Sequence, residues 1–499
     1  TAAIGASDES QLTEREVTFE ALASLGVEPY TYAWDFGDGS TATDAEATHT
    51  YANAGTYTVT LTVTDDEGTE AVAQKDITVV QMVETVIPDH KGDVRVAIFN
   101  AYLNRSTEGE LLSDLVAAER DKQAQAVAEI LQRVRPEVVL LNEFDYVADG
   151  SAIEAFQNLY LRVSQNGADT IEYPYVFLAE SNTGIDSGFD LNNDGETGTA
   201  DDAYGYGAFP GQYGMVLLSQ YPIVTEDVRT FQTFLWKDMP DAKLPADPND
   251  ADSDGSTESW YSEDELAIFR LSSKSHWDVP VDVDGKIIHM LSSHPTPPVF
   301  DGDEDRNGLR NHDEIRFWAD YIAGEDYIYD DNGTTGGLSN TDAFVILGDL
   351  NASPYEGDAT DNPMALLMRN ELVYASFVPT SAGGRENDPD NGNSGSHTAN
   401  WKLRADYVLP SVTGLDVENG AVFWPRENES LHRLTSHADV ISSDHRLVWL
   451  DLSTNNSVAD AAGSDSDSSG SDNGGGAFNP LFGLGLLSLL GVVRRFKRS

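Results

Sequence analysis

A chain of 499 residues is too long for one average domain, so two or three units are expected, with ample length for a sizeable core. Its 85 Asp and Glu against 30 Lys and Arg leave a formal net charge of -55, which argues against a generally basic nucleic-acid binder and against adhesion to anionic membranes through charge. With 40% apolar residues the chain can still build cores, and without a single cysteine it has no disulfide, no thiolate zinc site and no cysteine nucleophile, so any metal must be held by oxygen or imidazole.

Residues 1–80 read as short alternating strands through Val17, Phe19 and Ala21, then Tyr30, Tyr32 and Trp34, then Tyr57, Val59, Leu61 and Val63. Period-2 patterning broken by Gly and Asp turns predicts a small all-β sandwich. Within it, Trp34-Asp35-Phe36-Gly37-Asp38-Gly39, His49-Thr50-Tyr51 and Gly55-Thr56-Tyr57-Thr58-Val59 resemble the polycystic-kidney-disease (PKD) module. That resemblance implies a spacer or an adhesion unit contacting surface polymers or proteins. Residues 81–92 form a linker. From 93 to 452 strands and helices alternate: a buried-strand run at Val94 to Phe99, helical spacing from Glu119 to Val134, and a strand from Pro136 to Leu141. Further strand-like runs are Gly214 to Leu218, Ile287 to Ser292, Ala343 to Leu347, Ala405 to Leu409 and Leu447 to Leu452. The pattern is α/β or α+β, with long acidic loops at 184–204, 238–264 and 380–400, a length usual for functional or disordered segments.

Residues 453–476 are Ser, Asp and Gly rich, a flexible linker. The apolar run of 477–499 ends in Arg494-Arg495-Phe496-Lys497-Arg498 and is just long enough to span a bilayer with its basic end in the cytoplasm. The tail resembles the bacterial GlyGly-CTERM sorting signal, which implies a membrane tether processed by a sorting protease; a plain tail anchor is the alternative. Either places the remainder outside a bacterial cell, and the acidic balance of a chain able to build cores suggests a saline setting. No leader pattern is visible at Thr1, which decides nothing about export.

Polar residues close several of these strands: Asn100 after Ile98-Phe99, Glu143 after Leu140-Leu141-Asn142, His294 after Ser293, and Asp349 and Asn351 after Leu347-Gly348. Asp406 opens the next strand after Arg404-Ala405, and Ser442-Ser443-Asp444-His445 precedes the last one. A carboxylate at a buried strand's end projects into the crevice where open α/β sheets bind ligands, although a strand-end Asp or Asn taken singly is commonly a turn or cap. In this order the clusters resemble the endonuclease/exonuclease/phosphatase superfamily, and Gly214 to Ile223 matches another of its segments.

The resemblance covers about residues 93–452 and implies a deoxyribonuclease-like two-sheet α/β sandwich, preceded by the PKD-like sandwich and followed by the hydrophobic tail. It further implies a phosphoester hydrolase in which a metal- and Asp-positioned water attacks phosphorus. Mg²⁺ or Mn²⁺ would sit on Glu143, with Asn100 and Asp444 as further metal candidates. Asp349 would orient or deprotonate the water, and Asn351 would fix Asp349 or the phosphate. Asp406 would hold His445 as a cation against the phosphoryl oxygen, and His294 falls where the family places a second phosphate-binding histidine.

Other signals stand apart from that set. Asp303, Asp305, Asn307, Gly308 and Glu314 fit the EF-hand loop spacing, a candidate Ca²⁺ site; Asp190, Asn192, Asp194 and Asp201 nearly fit it, and Asp250, Asp252 and Asp254 fit less well. Arg310 and Arg316, on a helix start near His294, either face substrate phosphate or lie on a solvated face. Arg270 and Lys274 either bind phosphate or pack at the surface. Three functions follow: a metal-dependent phosphodiesterase or phosphatase for small phosphodiesters or phospholipid headgroups, an extracellular nuclease for DNA or RNA, and a non-catalytic surface-binding protein. Acidic residues outnumber basic ones almost threefold within 93–452, a field that opposes a polynucleotide partner.

Overall fold

In the computed structural model the described residues are 1–7, 10–251, 257–436 and 441–455. The N-terminal strands form a three-stranded sheet (Ala2–Ala6, Glu16–Ala23, Glu46–Thr50) and a five-stranded sheet built around Gly55–Thr64 and Glu70–Val80. Alternate residues Val17 and Phe19 of the first sheet meet Trp34, Val59, Leu61 and Ile77 of the second, burying one face of each. This is the small β-sandwich that the alternation predicts.

Beyond Val94 two mixed sheets pack face to face. The six-stranded sheet runs Tyr175–Phe177, Met215–Ser219, Val138–Phe144, Val94–Leu103, Val448–Thr454, Leu415–Val422. The five-stranded sheet runs Arg229–Thr230, His276–Val283, Lys286–Ser293, Ala343–Asp349, Asp406–Pro410. In each, one parallel pair (Val94–Leu103 with Val138–Phe144; Lys286–Ser293 with Ala343–Asp349) lies among antiparallel neighbours. Val96, Ile98, Val138 and Leu140 interdigitate with Val279, Ile288, Val345 and Leu347 between the sheets. The opposite faces are covered as well. Phe99, Val139 and Leu141 pack on the helix Lys122–Val134, and Leu291, Ile346 and Leu409 pack with Ile315, Trp318 and Ile322 of the helix Arg306–Ala323. Burial on both faces explains why these strands read as continuous apolar runs.

The helix Lys122–Val134 starts where Asp121 accepts a hydrogen bond from the Ala124 amide at 2.7 Å, a side-chain N-cap. The helix Arg306–Ala323 ends at Gly324, whose φ of 81° is the left-handed conformation favoured at a C-cap. Among the described residues no helix is long and apolar enough to cross a membrane. The tail expected over 477–499, the linker beyond Asn455, and Asp252 and Asp254 of the third calcium candidate lie outside the described residues.

Candidate active site

The inter-sheet face supplies the site by running out of aliphatic residues. Along successive strands the inward positions read Val94, Val96, Ile98, Asn100; Val138, Leu140, Asn142; Ile288, Met290, Ser292, His294; and Ala343, Val345, Leu347, Asp349. The period-2 pleat therefore carries five polar side chains, Asn100, Asn142, Ser292, His294 and Asp349, to one end of the sandwich. Glu143 joins them through a register shift between Asn142 and Phe144, with φ of 56° at Glu143 itself, a bulge that re-aims its side chain. Asp406 enters from the antiparallel neighbour, paired with Asp349 in the register, and His445 from the loop before Val448.

Asp349 is the hub. Its Oδ2 accepts from Asn100 Nδ2 at 3.0 Å and lies 3.4 Å from His294 Nε2 and 3.5 Å from His445 Nε2. Its Oδ1 accepts the Asn351 amide at 3.0 Å, and its own amide donates to Asn142 Oδ1 at 3.1 Å. Asn100 Nδ2 also donates to Glu143 Oε1 at 2.9 Å. His445 Nδ1 sits 2.8 Å from Asp406 Oδ2, and Ser443 Oγ, which donates to the Asn100 carbonyl at 2.7 Å, accepts the His445 amide at 3.0 Å. Trp401 stands edge-on to the His445 ring at 4.6 Å.

Electrostatics divide these groups. Burial disfavours charge on His445, but the carboxylates of Asp406 and Asp349 outweigh it and hold the imidazolium up to about 10. Against the same burial, His445, His294 and Asn100 keep Asp349 well below the usual carboxylate range. His294 goes the other way: burial, then the positive charge of Lys274, pushes it down to about 4, so its ring is neutral near pH 7. Burial also lifts Glu143 to about 7 despite the Asn100 bond.

Ligand atoms of Glu143, His294 and Asp349 lie within 4.8 Å of one another, and Asp349, Asp406 and His445 form a second such group. Of these groups Glu143 is the one open to a hard divalent cation, because Asp349 is engaged by Asn100 and two imidazoles and His445 is committed to Asp406. The half-buried Glu143 carboxylate, whose pKa burial raises despite His445 and Lys274, and the buried Oδ1 of Asp444 with no hydrogen-bond partner, are groups that a cation satisfies. Asp444 faces the same cavity as Glu143 but is not within the 4.8 Å group.

That cavity has a volume of about 960 Å³. Glu143, His294, Asp349, Asn351, Asp444 and His445 line one part of it; Tyr206, Tyr213, Tyr261, Phe269, Val299 and Trp401 line much of the remainder. Of the four candidate phosphate cations, Lys274 and Arg310 reach the wall, whereas Arg270 and Arg316 do not. Arg270 donates to Asn182 Oδ1 at 2.6 Å, with its guanidinium 4.1 Å from the Tyr204 ring. Arg316 donates to the Pro240 carbonyl at 2.8 Å. Arg310 commits Nε and Nη2 to the carbonyls of Leu271, Tyr204 and Arg270. Lys402 pairs with Asp388 and Arg306 with Glu304, so among the described residues Lys274 is the cavity cation that no carboxylate or carbonyl holds.

The 303–314 stretch does not form the calcium loop its spacing predicts. The helix Arg306–Ala323 begins at the fourth position, which puts Asn307 and Glu314 on helical turns. Asn307 Nδ2 donates to the Val299 carbonyl at 2.8 Å, Asp305 Oδ2 accepts the Thr360 hydroxyl at 2.5 Å, and Asp303 is exposed. Glu314 is 1% exposed, with both oxygens bonded to backbone amides, those of Ser273 and Thr296. The second stretch does fold as a tight loop: Asp190 accepts the amides of Asp194 and Gly195 at 3.1 and 2.8 Å, Asn192 Nδ2 donates to Asp194 Oδ2 at 3.0 Å, and Asp201 lies on the short turn Ala200–Asp202. Asn142 and Ser443 stand inside the quoted motifs without a role assigned to them, and Trp401 lies outside the motifs. Asn142 is signalled in the sequence as the next inward position after Val138 and Leu140; the other two meet the site only through tertiary packing.

Comparison with known proteins adds the lineage. The model of the Endonuclease/Exonuclease/phosphatase family matches residues 99–445, and a PKD domain model matches residues 2–80. Among solved structures, the PKD1 domain of a Vibrio cholerae metalloprotease is 38% identical over 16% of this chain and 93% of its own, with a TM-score of 0.14. A magnesium-bound beta toxin variant from Staphylococcus aureus is 12% identical over 72% of this chain and 99% of its own, with a TM-score of 0.38. Sphingomyelinase C from Streptomyces griseocarneus is 14% identical over 72% and 99%, with a TM-score of 0.36. No curated protein gives a significant match. With a family match spanning most of its length and a PKD domain before it, the chain belongs to the endonuclease/exonuclease/phosphatase family of phosphoester hydrolases.

Proposed function

We propose that this protein is a divalent-cation-dependent hydrolase of compact phosphoesters, a phosphodiesterase or phosphatase that works outside the cell. The observation that carries the reading is the shape and lining of its cavity. At about 960 Å³ it is at the upper end of the range that encloses small organic ligands, far larger than a phosphate alone, and its wall away from Asp349 is largely aromatic and aliphatic. A nucleic-acid groove needs a track of cations along the backbone. Here Arg270 and Arg316 lie elsewhere, and Arg404 is buried against the Tyr407 ring at 4.4 Å. Of the cations that do line the wall, Arg306, Arg310 and Lys402 are engaged by Glu304, backbone carbonyls and Asp388, and Glu356, Asp358 and Asp201 share that wall with them.

The chemistry follows from the charge states. Asp349, ionised and held by Asn100 and Asn351, accepts a hydrogen bond and then a proton from an attacking water. The cationic His445, locked by Asp406, and the Lys274 ammonium face the phosphoryl oxygens, where negative charge accumulates. The neutral ring of His294 directs Nε2–H at Asp349, which leaves its buried Nδ1 an acceptor with no protein donor. One P–O bond forms to the water oxygen, the bond to the leaving oxygen breaks, and the proton gained by Asp349 is returned to the alcohol or to solvent. A cation on Glu143, with Asn100 and Asp444 beside it, would supply further charge neutralisation when bound. The PKD domain would hold the enzyme near surface polymers.

The test is a substrate panel with Mg²⁺ or Mn²⁺: bis-p-nitrophenyl phosphate, p-nitrophenyl phosphate and plasmid DNA. Turnover of a small ester with little or no plasmid nicking is expected. Plasmid degradation without small-ester turnover would make the protein a nuclease and sink this reading.

A further inference from the structure

The helix Arg306–Ala323 lays a polar face against the loops that carry the site. Arg310 grips the carbonyls of Arg270 and Leu271 at 3.0 and 2.8 Å. Asn311 donates to the Thr296 and Leu350 carbonyls at 2.8 and 3.0 Å, and Trp318 Nε1 donates to Ser293 Oγ at 2.9 Å. Glu314 sits at the centre. Its Oε1 accepts the Ser273 amide and its Oε2 the Thr296 amide, both at 2.6 Å, the short distances of charge-assisted bonds. These amides are one residue before Lys274 and two after His294. Ser273 Oγ donates to the His294 carbonyl at 3.3 Å, and the Lys274 carbonyl accepts the Asn182 amide at 2.9 Å. Both cavity-lining side chains therefore hang from backbone fastened to one carboxylate.

We propose that Glu314 is a positioning residue for the substrate phosphate, holding the Ser273 and Thr296 amides so that Lys274 and His294 face the cavity together. A neutral anchor would fasten two amides less well: glutamine offers one carbonyl oxygen, and its NH₂ group would confront the second N–H donor. Burying a carboxylate at 1% exposure is costly unless its partners require it, and here the charge also faces the Lys274 ammonium. The inference rests on the phosphoester reading for its substrate and on backbone geometry for its mechanism.

A double-mutant cycle over Glu314→Gln and Lys274→Met tests it, with two readouts. One is the dissociation constant of inorganic phosphate for the metal-free protein by calorimetry; the other is kcat and KM on bis-p-nitrophenyl phosphate. Glu314→Gln is expected to weaken phosphate binding about tenfold and to raise KM more than it lowers kcat, and to cost clearly less in the Lys274→Met background, where only its hold on the His294 segment is left to lose. Multiplicative losses, or an unchanged phosphate affinity with only a lower melting temperature, would overturn the proposal. Should Glu314→Gln fail to fold, Glu314→Asp, which keeps two acceptor oxygens on a shorter arm, enters the same cycle, and the same results support or overturn the role. Phosphate bound through Lys274 without ester turnover would retire the hydrolase reading and leave the positioning role standing; turnover with multiplicative losses would do the reverse.

Discussion

At the scale of single residues, the site is a carboxylate with four donors around it, about as many as its lone pairs can accept. Asp349 takes Asn100, Asn351 and two imidazoles, and the second imidazole is cationic because Asp406 stands 2.8 Å behind it. Asp406→Asn keeps the shape and removes the charge that holds His445 protonated, so kcat is expected to fall about a hundred- to ten-thousand-fold in steady-state kinetics, with circular dichroism unchanged. A similar pair serves stability away from the site. His289 Nδ1 lies 2.7 Å from Asp278 Oδ1, and Tyr321 donates to the other Asp278 oxygen at 2.6 Å. Although burial works against the imidazolium, Asp278 wins and raises the His289 pKa above its ordinary 6.5. A raised folded-state value means the native protein binds the proton more tightly than the unfolded chain. The stabilisation is present in full below pH 6.5 and is lost as pH rises through the raised value. Thermal melts should therefore show a larger drop between pH 6 and pH 9 for wild type than for His289→Gln; equal slopes would remove this account.

At the scale of elements, two devices place the reactive groups: strands whose alternation turns polar at one end, and a helix whose polar face brackets the loops. The first is legible in the sequence, because Asn100, Glu143, Asp349 and Asp406 each stand at the border of an apolar run. The bracket is not. Asp303, Asp305, Asn307 and Glu314 mimic a calcium loop in a chain so rich in Asp that alternating carboxylates arise without a cation, and the helix start at Arg306 overrides that spacing. Arg310, which the sequence leaves facing phosphate or solvent, does neither with Nε and Nη2, since its carbonyl partners are brought by distant segments at Tyr204 and Leu271. The loops are packed tightly enough to test. A Cβ at Gly205 would meet the Ser273 carbonyl oxygen at 1.8 Å, backbone that cannot swing aside. Gly205→Ala should cost about 1–3 kcal/mol in denaturant melts and raise KM, by displacing the segment that carries Lys274.

At the scale of the whole molecule, the charge of -55 acts on the fold as much as on the partner. Self-repulsion of that size destabilises a compact state, and salt shortens its range from about 8 Å at 0.15 M to about 3 Å at 1 M. Raising NaCl from 0.1 to 1 M is expected to raise the melting temperature by several degrees, and a flat or falling melting temperature would exclude charge repulsion as the dominant strain. Within that field the cavity keeps Lys274 and the His445 imidazolium beside Asp349, a pairing of cations with the site carboxylates that composition could not reveal, because it depends on which few cations the fold gathers. On the proposed reading, this gathering hydrolyses a compact phosphoester with a divalent cation on Glu143. Its most direct test is the initial rate on bis-p-nitrophenyl phosphate with Mg²⁺ or Mn²⁺, measured for wild type, for wild type with EDTA, and for Glu143→Ala and His445→Ala. Turnover by the first is expected, falling about a hundredfold or more in each of the others; undiminished turnover in EDTA or in either variant would overturn the cation and site assignment.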